Sequence, residues 1–447
     1  MTQNYVIRNA NIVNEGKIFA GDIYIKNQKI EKVASRIGTI IEKHIEIDAK
    51  GKYLLPGIID DQVHFREPGL THKATIYSEA KAAVAGGVTT FMEMPNTVPS
   101  AVTNELLEQK YLIASQSSLA NYSFYLGTTN SNLEDVLKID SKNVCGLKIF
   151  LGSSTGDMLV DNKDTLEKVF AQCPTLIAIH SEQDEIVKAN LEKWKQKYGD
   201  DVPVEAHPEI RSVEACYKMT EYAVGLAKKH DTKLHVLHIS TEEELVFFRN
   251  DIPLKDKRIT AEVCVHHLWF TADDYANKGN FIKWNPAIKD KRHQPKLFEA
   301  MLDNRLDIIA TDHAPHTLEE KQQSYLKAPS GGPLIQHSLN VMLEFYHQGK
   351  ITLEKIVDKM SHKPAELFQI EKRGFIREGY YADLVLVDLQ KPWKVSKENI
   401  LYKCGWSPLE GQNFKGKVTH TFVSGHLAYQ EGQFDEQVKG KRLAFVR

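Results

Sequence analysis

The chain has 447 residues, 42% hydrophobic and 26% charged, with a formal net charge of −2. That length exceeds one ordinary domain, and the composition is that of a folded protein with a large core, not of a disordered or fibrous chain. A balance so close to neutral leaves no basic footprint for nucleic acid or an anionic membrane, and no apolar run is long enough to span a bilayer.

The opening stretch MTQNYVIRNANIVNEG lacks the basic-then-apolar layout of a secretion signal. Residues 1–52 carry NYVIRNANIV and DIYIKNQKIEKVA, alternating segments that read as strands. From Tyr53 to Pro315 short β-type runs alternate with helical stretches. The strand candidates are YLLPGIID, VTTFMEMP, YSFYLGTT, VCGLKIFLG, TLIAIHS, KLHVLHIS, ITAEVCVHH and DIIATDH. Between them, TIYSEAKAAVAGG, ELLEQKYLIASQ and SVEACYKMTEYAVGLAKK repeat apolar residues at helical spacing, and Gly86-Gly87 gives the first of these a stop. Beyond residue 374, ADLVLVDL, KVTHTFVSG and HLAYQEGQF return to strand patterning. The expected fold is α/β: a (β/α)8 barrel of the TIM type over residues 53–373, with a small β domain built from both chain ends, 1–52 and 374–447. The five cysteines, Cys145, Cys173, Cys216, Cys264 and Cys404, are scattered without a C-x-x-C pair. Scattered thiols suit a reducing compartment, so a cytoplasmic location is expected.

In a barrel of this kind, active-site groups stand at the C-terminal ends of the strands. The first strand runs into Asp60-Asp61-Gln62-Val63-His64-Phe65-Arg66, the second into Pro95-Asn96-Thr97, and the fourth carries Lys148 in an apolar run. The fifth ends at His180, the sixth at His238 and the eighth at Asp312-His313-Ala314-Pro315-His316. A lone strand-end histidine is more often a hydrogen-bonded structural residue, a lone lysine a snorkelling side chain, and an Asp before His a turn cap. Imidazoles, a carboxylate and a lysine from separate βα units on one rim have a better explanation as a divalent-metal site, and His with Asp suits zinc.

Asp60 to Gly69, Pro95-Asn96-Thr97, Gly146 to Phe150 and Asp312 to His316 resemble the signatures of the long-chain dihydroorotases of the amidohydrolase superfamily. GYYADLVLVD and WSPLEG are similar to that family's closing β domain, so the likeness covers most of the chain. Several of these motifs are shared with allantoinases and hydantoinases. The resemblance implies reversible, zinc-dependent hydrolysis of dihydroorotate to N-carbamoyl-aspartate in pyrimidine biosynthesis. It also implies a homodimer, and association with other pyrimidine-pathway enzymes is a further expectation.

By the same resemblance, Lys148 is carbamylated to N6-carboxylysine and bridges two zinc ions. One zinc is completed by His180 and His238, the other by His64, Asp312 and the position of Gln62. Asp312 doubles as the catalytic proton carrier, while Arg66, Asn96 and His316 hold the substrate carboxylate, with Asn285 and Pro333 as further ring contacts. Gln62 departs from the family's His-x-His, and a neutral amide is a poorer zinc donor than imidazole. Either that position is weakened or water completes it, so one or two zinc ions per chain are expected. Strand alternation places Asp60, Gln62 and His64 on one face and Asp61 on the other. Two other functions compete: an allantoinase- or hydantoinase-like hydrolase of neutral rings, and a catalytically silent scaffold subunit. Arg66 argues against the first, because a neutral ring gives its charge-assisted fork nothing to grip.

Overall fold

The computed structural model describes residues 3–152 and 158–447. Eight parallel strands stand side by side in chain order: β1 (Ile58–Val63), β2 (Val88–Glu93), β3 (Asn121–Gly127), β4 (Gly146–Phe150), β5 (Ile177–His180), β6 (Leu234–Val236), β7 (Ile259–Cys264) and β8 (Ile308–Ala310). The sheet closes on itself: Val63 bridges His313 just past β8, and the His64 amide donates to His313 O at 2.7 Å. Side chains on both faces of these strands are buried, which is why the sequence shows continuous apolar runs and not alternation. Six of the eight strands fall within the runs expected from the sequence, while β1 runs past YLLPGIID to Val63 and β3 begins one residue before YSFYLGTT, at Asn121.

Helices cover the outside. α1 (Ile76–Ala85), α2 (Asn104–Ser117) and α3 (Val213–His230) each begin at a hydroxyl side chain, Thr75, Thr103 and Ser212, that accepts from an amide in the first turn. α1 stops at Gly86-Gly87 because Gly87 adopts φ +84°, and a Cβ there would come within 2.9 Å of Val385. The floor of the barrel is sealed: Ile59, Met92, Tyr125, Ala178 and Ile308 pack with Phe368 and with Leu443 and Phe445 from the C-terminal stretch. The C-terminal ends of the strands are therefore where an opening can form.

Both chain ends build a separate nine-stranded sheet, with Tyr5–Asn14, Lys17–Lys26 and Lys29–Ala34 at one side and Leu384–Asp388, Lys417–Val423, His426–Gln430 and Gln433–Phe434 at the other. Two details differ from the sequence reading. The run YLLPGIID is two strands: Tyr53–Pro56 pairs with Leu384–Asp388 in the small sheet, so the chain enters the barrel at Gly57 and not at residue 53. The region from 374 onward is not all small domain either, since Trp406 and Tyr402 pack against the barrel and Arg442 bridges Tyr122 of β3. Among the described residues no helix is long and apolar enough to cross a membrane, and all five cysteines are unpaired.

Candidate active site

A cavity of about 490 Å³ opens at the C-terminal rim of the barrel, lined by Gln62, His64, Arg66, Asn96, Lys148, His180, His238, Asn285, Asp312 and His316, with Lys73 and Pro329–Gly331 at its wall. These ten residues come from six barrel strands or the loops that follow them, plus the loop carrying Asn285. Pro333 is buried and lies outside this lining. The backbone that forms the wall is Pro329–Gly331, where Gly331 has φ +123° and a Cβ would lie 2.6 Å from Ala314 O.

His180 and His238 form the floor. His180 Nε2 donates to Glu182 at 2.9 Å, and Glu182, wholly buried, also pairs with Arg211. That bond fixes the tautomer and leaves His180 Nδ1 as an acceptor, 3.1 Å from His238 Nε2. His238 Nδ1 is buried and has no partner among the described residues. No placement of protons satisfies both rings. If His238 donates through Nε2 its Nδ1 lone pair is stranded, and if it is protonated on Nδ1 two lone pairs face each other. A cation between the rings takes up the two lone pairs that face each other, so this pair fits a metal, with His238 Nδ1 then carrying the proton. The carboxylate behind His180 is the usual support for such a ligand. Lys148 stands beside them with its amine over the Phe150 ring at 4.7 Å, and burial pushes it down to about 7. Replacing Glu182 with glutamine is expected to weaken metal binding 10–100-fold with the fold intact. Competition against a chelator measures this, and an unchanged affinity would reject the supporting role.

Another part of the lining is built around His64 and Asp312. His64 has an oxygen at each ring nitrogen, Asn96 Oδ1 at 2.8 Å from Nδ1 and Asp312 Oδ1 at 3.1 Å from Nε2. Gln62 Nε2 donates to the same Asp312 oxygen at 3.4 Å, and Cys264 Sγ donates to Gln62 Oε1 at 3.4 Å. Arg66 is buried, with Nε donating to Pro315 O at 3.1 Å and its outer nitrogen 3.0 Å from His316. Among the described residues no carboxylate pairs with it, and burial lowers it to about 10. Lys73 donates to His316 Nδ1 at 3.0 Å and pairs with Glu320 at 2.9 Å. Arg66, His238 and Asp312 hold φ of +67°, +41° and +46°, left-handed conformations that are costly outside glycine. Their concentration at one cavity marks it as functional ground.

The first strand does not alternate as the sequence suggests. Its pairing with β2 slips between Asp60 and Val63. Asp60 turns to its neighbour, accepting from Thr311 Oγ1 at 2.6 Å. Asp61 crosses the barrel interior to His235 of β6 and Glu262 of β7, with His235 Nε2 3.6 Å from Asp61 and 3.2 Å from Glu262. A bulge inserts an extra residue and re-aims side chains, and bulges gather near active sites. Asp61, His235 and Glu262 form a layer of ligand-type side chains below the cavity, and burial pushes both carboxyls up, Glu262 to about 8. Glu262 also accepts from the His238 amide at 3.1 Å and so steadies a strained residue of the floor. Sequence reasoning missed Glu182, Arg211, Glu262, Lys73 and Cys264. Only Glu182 had a visible signal, standing two positions past His180 on the same side of the chain.

The closed parallel barrel, with imidazoles, a lysine and an aspartate converging on its C-terminal rim, defines a class of hydrolase, and a model of the "Amidohydrolase family" matches residues 53–428. The chain belongs to the amidohydrolase family and is a cyclic-amide hydrolase. It is 33% identical over 444 residues to a protein named dihydroorotase from Pyrococcus horikoshii, covering 99% of this chain and 96% of that one. It is 32% identical over 411 residues to another so named from Halobacterium salinarum, covering 91% and 92%. Among solved structures, the L-hydantoinase (dihydropyrimidinase) of Arthrobacter aurescens superposes with a TM-score of 0.93 at 26% identity, covering 99% of this chain and 100% of that one.

Proposed function

We propose that this chain is a dihydroorotase, opening the ring of dihydroorotate to N-carbamoyl-aspartate and closing it in the reverse direction, the step pyrimidine biosynthesis requires. The observation that carries the reading is Arg66, a buried guanidinium on the cavity wall with no carboxylate partner among the described residues. Burying an unpaired cation is costly, and a substrate carboxylate removes the cost through two charge-assisted hydrogen bonds. Asn96 and His316 flank the same wall and share that anion, while Asn285, whose Oδ1 has no partner among the described residues, faces the ring amide. The relatives named dihydroorotase agree with this assignment.

His180, His238 and Lys148 are the residues that would hold a zinc ion, Lys148 through its amine or through the carbamate that the neutral amine forms with CO2. Zinc bound there supplies Lewis acidity, polarising a carbonyl and acidifying water. Asp312 takes the proton from the attacking water and delivers it to the ring nitrogen as the amide bond breaks. In the closing direction it removes that proton from the carbamoyl nitrogen. Arg66 fixes the ring by its carboxylate, so that the scissile amide lies over the histidine pair.

The structural likeness to an L-hydantoinase keeps a second reading in view, hydrolysis of a neutral ring. Parallel assays decide between them. Dihydroorotate should be turned over at least a hundredfold more efficiently than hydantoin or dihydrouracil, as kcat/KM, in the zinc-loaded protein. Preference for the neutral rings would overturn the dihydroorotase assignment, and no turnover of any ring would favour a silent scaffold.

A further inference from the structure

His316 stands between two loops of the rim and meets a fixed partner at each ring nitrogen. The loop after β1 carries both Arg66 and Lys73, tied through Leu70, whose amide donates to Arg66 O at 3.0 Å and whose carbonyl accepts from Lys73 N at 3.0 Å. Lys73 Nζ pairs with one oxygen of Glu320 at 2.9 Å, and the other oxygen accepts from the Thr317 amide at 2.9 Å. An ammonium has no lone pair, so toward His316 Nδ1, 3.0 Å away, it can only donate. At Nε2 stands the Ser330 carbonyl, 2.9 Å away, which can only accept. The neighbouring carbonyls of Pro329 and Gly331 accept from Lys321 Nζ at 2.8 and 2.7 Å, which holds that loop in place. Burial, with Arg66 and Lys73 close by, keeps the imidazole neutral. One tautomer therefore suits both partners, with Nδ1 bare and Nε2 protonated. The other sets an N–H against the ammonium and a lone pair against the carbonyl. The suitable tautomer leaves one contact unmet. The outer nitrogen of Arg66 lies 3.0 Å from Nε2, so two donors face each other, and among the described residues that nitrogen has no other acceptor. An anionic oxygen that accepts from both ends the conflict.

We propose that Lys73 is a positioning residue for the substrate carboxylate: it commits His316 to the Nε2–H tautomer, so that His316 and Arg66 present two donors to one anionic oxygen. The inference rests on the dihydroorotase reading above and deepens it. Lys73 acts through the imidazole and not by touching the carboxylate. Without it the ring has an alternative, because Glu320, 3.7 Å from Nδ1, offers an acceptor there and Arg66 a donor at Nε2. That alternative turns a lone pair toward the carboxylate and weakens its hold.

Two measurements on the full-length protein test this. Nitrogen-15 labelling of histidine, with two-bond proton–nitrogen correlation, reports the tautomer, and His316 is assigned by the signal lost in His316→Asn. Wild type should show a bare Nδ1 and a protonated Nε2. Lys73→Met should populate the Nδ1–H form, and Lys73→Arg, which keeps a cationic donor, should return to the wild-type pattern. The second measurement is steady-state kinetics of the zinc-loaded protein. Lys73→Met should raise KM for dihydroorotate by about tenfold or more with kcat little changed, the pattern of a lost ground-state contact to a charged group. Lys73→Arg should recover most of that loss, and hydantoin hydrolysis should not respond to either change. A wild-type ring protonated on Nδ1 would overturn the inference, whether or not any variant folds. An unmoved KM in folded Lys73→Met would overturn it too, as would a KM that rises while the tautomer stays in place, which makes Lys73 a direct charge contact. A wild type that prefers hydantoin to dihydroorotate would instead overturn the dihydroorotase reading, a failure visible before any variant is made.

Discussion

Replacing Asp312 with asparagine is expected to lower kcat for dihydroorotate by about 10²–10⁴-fold, the range a positioned general acid–base group supplies, while KM changes little. The carboxylate is held from several directions. Its backbone carbonyl accepts from Trp284 Nε1 at 3.2 Å, its residue sits at φ +46°, and one oxygen receives His64 and Gln62. An amide of the same shape keeps most of these contacts and loses the ability to take a proton. Because Asp312 hydrogen-bonds His64 and Gln62, and among the described residues makes no hydrogen bond to His180 or His238, a metal held by that pair should stay in the variant, which separates lost proton transfer from a lost ligand. Steady-state kinetics paired with a metal count checks this. A kcat within tenfold of wild type would remove Asp312 from the proton path.

Much of this architecture was legible in the sequence because a parallel barrel imposes a simple rule. Each strand must be apolar along its whole length, since helices cover one face and the barrel core the other. A lysine or histidine inside such a run is then conspicuous, and Lys148, His180 and His238 were found that way. What stayed hidden depended on local departures or on distance in sequence. Tyr53–Pro56 is as apolar as a barrel strand but pairs with the small sheet, and only the Pro56-Gly57 break hinted at the change. Strand alternation points Asp61 away from the site, whereas a slip in register between Asp60 and Val63, invisible in the residue pattern, accompanies its turn into the barrel. Arg211 lies 29 residues beyond Glu182, in a segment with no periodic signal, so nothing short of the fold joins them. The rim loop shows the same limit: the family resemblance implies a ring contact at Pro333, but the lining backbone is Pro329–Gly331.

Replacing Arg66 with methionine is expected to cost dihydroorotate turnover about 10²–10⁴-fold in kcat/KM, in line with the roughly 2–5 kcal/mol lost when one partner of a buried hydrogen-bonded charge pair is truncated. Methionine keeps the apolar length of the side chain and removes the fork, so the cavity should hold its shape. Arg66→Lys keeps the charge but not the paired donors, and should recover only part of the loss. The decisive measurement is the same variant on a neutral ring. Hydantoin or dihydrouracil brings no carboxylate, so its slow hydrolysis should be unchanged by Arg66→Met or should rise as the unpaired cation is removed. If both substrate classes fall together, Arg66 shapes the cavity and does not read the carboxylate. If dihydroorotate alone falls, one guanidinium held by Pro315 beside His316 is what directs a barrel shared with hydantoinases toward an anionic ring.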